Sequence, residues 1–152
     1  MDDDKPEVRD MDEVQSRSLG LSRELLQIID LKGDLKQPAT AVGTCGERDD
    51  DKFYRIHSAW SLAGPPIAEL EKAMVRLKEQ LPGRGWDIST YGPARTKSQQ
   101  LSLVADFRED KFSVNVELLE PSPNGRKRAL LYVSLASACF EVPEGKSAKY
   151  EY

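Results

Sequence analysis

From residue 11 the apolar positions of the chain recur at steps of three and four. Met11, Val14, Leu21, Leu25 and Ile28 keep that period with Ser18 in phase, and Leu19, Leu26 and Ile29 widen the apolar side. The spacing predicts a helix over 11–31. Gly20 weakens its middle by about 1 kcal/mol relative to alanine. Lys32-Gly33 reads as its stop, a basic last turn followed by a residue that tolerates the left-handed conformation. Residues 34–51 hold Gln37-Pro38, Gly43, Gly46 and Asp49-Asp50-Asp51, and they read as loop.

At Lys52 the period changes to two. Tyr54, Ile56, Ser58, Trp60 and Leu62 point one way, and Phe53, Arg55, His57, Ala59 and Ser61 the other, which predicts a strand over 52–62. Gly64-Pro65-Pro66 then opens a second helix over 65–81. Its stripe is Ile67, Leu70, Met74, Leu77 and Leu81, with acids early, Lys78 late and Pro82-Gly83 as the stop. Four alternating segments follow. They are Trp86-Ile88-Thr90, Leu101 to Phe107, Phe112 to Leu118, and Leu130 to Phe140, separated by turn residues. No internal repeat is visible.

The order is helix, strand, helix and four strands, an α+β arrangement in which helix 65–81 covers one face of a mostly antiparallel five-stranded sheet. If that helix returns the chain so that the strands at 52–62 and 86–91 run parallel, three hairpins place the last strand antiparallel to the first. The expected sheet order is 1-5-4-3-2. A helix of roughly 17 residues reaches about 25 Å, and four inter-strand steps span about 19 Å, so the crossover closes. A sequential 1-2-3-4-5 sheet, as in cystatin-like domains, is the alternative. The organisation is then an acidic N-terminal arm and helix (1–34), a loop (35–51), a single α+β domain (52–144) and a tail (145–152).

Charge refines this picture. The net charge of -4 on 152 residues divides unevenly. Residues 1–51 hold 14 acidic and 7 basic side chains, and residues 52–152 hold 12 acidic and 15 basic ones. A surplus of three cations on the core is too small for a nucleic-acid surface. No apolar run approaches the roughly 20 residues of a membrane helix. Met1-Asp2-Asp3-Asp4-Lys5 is the reverse of a secretory leader. Taken as a true start it indicates the cytoplasm, whereas a leader upstream of residue 1 would fit an exported protein.

Two cysteines carry the strongest chemical signal. Cys45 lies in Gly43-Thr44-Cys45-Gly46 before the strand at 52–62, and Cys139 lies at the end of the last strand. An even count with one residue at each boundary of the core suggests a disulfide and an oxidising compartment. The sheet order expected above brings both to one end of the sheet. The alternative is two partly buried thiols in a cytosolic protein. Neither cysteine has the companion ligands of a zinc site, and no metal or other cofactor is expected.

The remaining candidates have plain competing readings. His57, the sole histidine, would pair with Cys45 in a cysteine-dependent enzyme, but a mid-strand histidine without a carboxylate at a suggestive spacing reads as structural. Asp49-Asp50-Asp51 lacks the ligand spacing and closing glutamate of a calcium loop. Arg126-Lys127-Arg128 at a hairpin tip is a candidate contact for anionic lipid or an acidic patch, set against a solvated turn. Phe53, Tyr54, Trp60, Trp86, Tyr91, Phe107, Phe112 and Tyr132 read first as core; the alternative is that Phe53, Arg55 and Tyr91 share the sheet face away from the helix, which with His57 would make a candidate binding surface. No nucleophile elbow, phosphate loop, dinucleotide fingerprint or zinc-protease motif is present, so no catalytic residue is assigned.

The stretch from Gly43 to Gly145 resembles small exported lipoproteins of high-GC Gram-positive bacteria. The matching residues are Thr44-Cys45-Gly46, the run Tyr54 to Leu62, Leu81-Pro82 with Gly85-Trp86-Asp87, and Ser137-Ala138-Cys139-Phe140 before Val142-Pro143-Glu144-Gly145. These are framework residues that speak to fold and export. Most members of the group are uncharacterised, and some modulate envelope-stress signalling systems. The resemblance implies the soluble part of a cell-envelope lipoprotein, held at the membrane only through a lipid anchor and acting on an envelope or membrane protein partner. A small-molecule binder in the groove between helix and sheet is the competing function.

Overall fold

A computed structural model describes residues 6–96, 99–122, 125 and 127–148. The elements, in chain order, are β1 (Glu7–Val8), α1 (Met11–Ile29), β2 (Asp34–Gly43), β3 (Phe53–Ala63), α2 (Ile67–Gln80), a single 3-10 turn (Pro82–Arg84), β4 (Trp86–Pro93), β5 (Leu101–Phe107), β6 (Phe112–Leu119), β7 (Leu130–Ser137) and β8 (Phe140–Glu141). The fold is α+β, and the described residues form two helices and one mixed eight-stranded sheet.

Within the sheet β3, β7, β6, β5 and β4 lie side by side through antiparallel pairings, so the first and last strands of the expected set are neighbours. The full order differs from the expected five strands because three more join. β2 pairs antiparallel with β3, β8 continues β7 along β3 after a kink at 138–139, and β1 pairs parallel with β8.

β2 corrects the reading of 35–51 as loop. Its only strong turn signal, Gln37-Pro38, falls in the register shift between Lys36 and Ala39, where a residue without an N–H costs the ladder nothing. The strand is an edge, so it lacks the apolar alternation of a half-buried segment.

α1 falls within two residues of the expected 11–31 and buries the expected stripe. Met11, Val14, Leu21, Leu25, Ile28 and Ile29 are all at most 2% exposed and belong to the same core as β3, α2 and β7. The helix packs on α2, β2, β3 and β7, and Trp60 Nε1 donates to the buried Ser22 hydroxyl at 3.1 Å. The helix over residues 11–29 is therefore part of the core. It stops at Asp30, which takes the left-handed conformation at φ 49° with its N–H on the Leu26 carbonyl, two residues before the expected Lys32-Gly33. Gly33 serves another purpose. A Cβ there would lie 2.5 Å from the Ala63 carbonyl oxygen, so only glycine lets β2 start beside the end of β3.

α2 follows its predicted stripe, with Leu70, Ala73, Met74, Leu77 and Leu81 buried. Arg76 crosses to α1, donating to the Ile28 carbonyl at 3.2 Å and to that of Ile29. These are two of the carbonyls that a helix C-terminus leaves without an internal partner. After β8 the chain stays against the core as far as residue 148. Val142 and Ala148 are buried, and their N–H groups donate to the Lys52 and Asp51 carbonyls at 2.9 and 2.8 Å. Residues 149–152 lie outside the described residues.

Candidate functional site

Both helices lie on one face of the sheet, and no described element covers the other. The exposed face is built from the alternate positions of each strand. Arg55, His57, Ala59 and Ser61 come from β3, Tyr132, Ser134 and Ala136 from β7, and Ser113, Asn115 and Glu117 from β6. Most of these side chains are small or polar, which leaves the face open and flat.

Cys45 and Cys139 are bonded, with Cα atoms 5.9 Å apart across a separation of 94 residues. The bond joins the connection between β2 and β3 to the kink between β7 and β8. It lies at the end of the sheet where β3 begins and β7 ends, as the antiparallel pairing of those strands requires. With its sulfur in a disulfide, Cys45 carries no thiolate, and a Cys45–His57 pairing has no nucleophile.

At this same end the outer face holds a cleft of about 540 Å³, lined by the starts of β3 and β6 and the ends of β5 and β7. Arg55 stands on its β3 wall. Ala136 and Ala138 form part of its floor, and Asp106, Arg108, Lys111 and Ser113 close it on the β5–β6 side. The turn joining β5 to β6 is held from several directions. Arg108 Nε lies 2.7 Å from Asp87, Lys111 Nζ lies 3.2 Å from Glu7 of β1, and Asp110 is paired with Arg17 of α1. The Ala138 N–H donates to the Lys111 carbonyl at 2.8 Å, fastening the kink to the turn. Ser137 is buried there, and its Oγ accepts the Ile56 N–H at 2.9 Å in place of a ladder bond. The kink at 138–139 thus serves the disulfide and the cleft together.

His57 lies next to Arg55 on the outer face, cross-strand from Ala136 and from Ala41. Its ring rests on β2, so that a Cβ on Gly43 would meet Nε2 at 2.8 Å. Phe53 is half-buried at the start of β3, with the Arg48 guanidinium 5.3 Å from its ring centre. Phe53, Arg55 and His57 share one face of β3.

Tyr91 does not join them. A register shift between Ile88 and Thr90 inverts the parity of β4, so Thr90 faces outward and Tyr91 pairs with the buried Leu103 on the helix side. Its ring lies 4.8 Å from the Lys78 ammonium of α2. Burial, reinforced by the Glu71 carboxylate, holds its phenol pKa above the ordinary 10.0. A single extra residue in a strand exchanges its two faces.

The basic hairpin tip is separate too. Arg128 pairs with Asp34 at 2.8 Å, beside the end of β3, and Lys127 is exposed nearby. Eight residues of strand, about 26 Å, separate that end from Arg55. Arg126 lies outside the described residues.

Asp106, Arg108 and Lys111 escaped the sequence reading, which placed 108–111 in a plain turn. The alternation of Leu101, Leu103, Ala105 and Phe107 already turns Asp106 outward. The expected order of the strands also puts that turn across β7 from Arg55, so combining the two would have found the cleft. No known protein family matches this chain, and neither a curated protein nor a solved structure matches it.

Proposed function

We propose that this chain is an exported, disulfide-stapled, non-catalytic binding domain, the soluble part of a cell-envelope protein that engages a protein partner through the open face of its sheet. The observation that carries this reading is the Cys45–Cys139 bond, because disulfides persist in oxidising compartments and are rare in reducing ones. The staple ties the connection between β2 and β3 to the kink between β7 and β8, closing the chain that holds β3 to β7 and α2. The uncovered outer face, with Phe53, Arg55 and His57 beside a preformed cleft at the stapled end, is the surface assigned to the partner. The exported-lipoprotein resemblance points the same way, toward an envelope partner and attachment through a lipid anchor upstream of the domain.

Fractionation of cells producing the native gene, followed by immunoblotting, tests the compartment. Recovery with the envelope or the culture medium is expected. Recovery confined to the cytosol would overturn the proposal.

A further inference from the structure

The cleft at the stapled end says more about its occupant than the open face alone, and its assignment rests on the reading of that face as the binding surface. Three cations and one carboxylate line the cleft. Two of the cations already have partners, Arg108 with Asp87 at 2.7 Å and Lys111 with Glu7 at 3.2 Å. Two charged groups then remain without an ion pair among the described residues, Arg55 on one wall and Asp106 on the other. Asp106 accepts a hydrogen bond from the Ser113 hydroxyl, which fixes its carboxylate. Between the two walls lie Ala136 and Ala138, side chains too small to fill the space. The cleft is therefore dipolar, with a shallow apolar floor.

The backbone spacing between its walls selects the occupant, with Arg55 two residues along β3 from the row His57–Ala136–Ser113–Asp106. β3 and β5 are separated by β7 and β6, three inter-strand steps or about 14 Å. An extended chain laid across the strands advances about 13 Å over four residues, and its side chains at i, i+2 and i+4 share a face. A zwitterionic lipid headgroup, whose two charges lie much closer together, does not span the poles.

We propose that the cleft receives an extended segment of a protein partner bearing an acidic and a basic side chain four residues apart, with a small apolar residue midway. The acid meets the Arg55 guanidinium, the base meets Asp106, and the central side chain sits on the alanines. A guanidinium offers a carboxylate two parallel hydrogen bonds, which makes Arg55 the stronger pole.

The probe is an acetylated and amidated peptide, Gly-Glu-Thr-Val-Thr-Lys-Gly, titrated at low salt into isotopically labelled protein and followed by NMR. Saturable shifts are expected at the cleft-lining ends of β3, β5, β6 and β7. Arg55→Glu and Asp106→Lys should each weaken binding at least about tenfold, since each sets like charges together. The double variant Arg55→Glu/Asp106→Lys should recover affinity, because the swapped poles accept the same peptide in reverse. Arg55→Glu alone should prefer the peptide with lysine at both charged positions, and Asp106→Lys alone the one with glutamate at both. Binding indifferent to both single variants, or no saturable binding at millimolar peptide, would overturn the dipolar cleft. Shifts confined to the outer face beyond the cleft would overturn it too, while leaving the open face as the partner surface.

Discussion

Replacing Leu25 by alanine asks whether α1 is core or appendage. Leu25 is 1% exposed and lies midway along the buried stripe of the helix, in one cluster with residues of β3, α2 and β7. The substitution removes three carbons from that cluster. At about 0.8 kcal/mol per buried methylene the transfer loss is about 2.4 kcal/mol. The cavity left behind raises the total to about 3 kcal/mol, within the usual range for leucine-to-alanine changes in cores. For a domain of this size each kcal/mol lowers Tm by about 2–4 °C, so the expected fall is about 6–12 °C. Thermal melts followed by circular dichroism, together with urea titrations, measure it, and the exposed Gln27→Ala on the same helix is the control, expected within about 0.5 kcal/mol. If Leu25→Ala matched the control, the packing of α1 into the shared core would be refuted.

Other perturbations probe the remaining joints. Arg76→Met should cost about 1–3 kcal/mol by leaving the Ile28 and Ile29 carbonyls without their donor. Amide exchange should speed up at the end of α1 while that of β6 stays unchanged. Because the Tyr91 phenol is raised, the folded state keeps its proton at a pH where the unfolded state has lost it. Stability from this group is therefore fully present below pH 10 and is lost as the pH rises toward the folded value. The difference between the ultraviolet titrations of the parent chain and Tyr91→Phe should isolate a phenol that ionises above pH 10, moved earlier by Glu71→Gln. Reduction of the disulfide reopens a 94-residue separation in the unfolded chain, and the chain-entropy relation sets the loss at about 4–5 kcal/mol. Denaturant midpoints with and without dithiothreitol should differ accordingly.

How far the sequence foretold these features depended on how much each one rests on burial. β3 alternates without a break from Tyr54 to Leu62, and every inward position it assigned is buried. α2 combines a stripe with proline and glycine at its ends, and its limits fall within two residues of expectation. The pairing of β3 with β7 followed from chain reversal and crossover length, and it placed the two cysteines at one end. β2 stayed hidden because an edge strand with little buried surface has no apolar period to read. That Tyr91 packs toward the helices and not on the open face turns on one unpaired residue at 88–90, which leaves no trace in composition. The cleft is a tertiary feature. Arg55, Asp106 and Lys111 line one cleft only once four strands are laid side by side, although the parity of Arg55 and Asp106 was legible alone.

The covalent staple underlies both the closure of the fold and the compartment proposed for it. Thiol titration of the purified protein, denatured but not reduced, counts the free cysteines directly. The bond between Cys45 and Cys139 predicts no reactive thiol before reduction and two after it. Two thiols without reduction would contradict the staple, and with it the exported binding domain proposed on its strength.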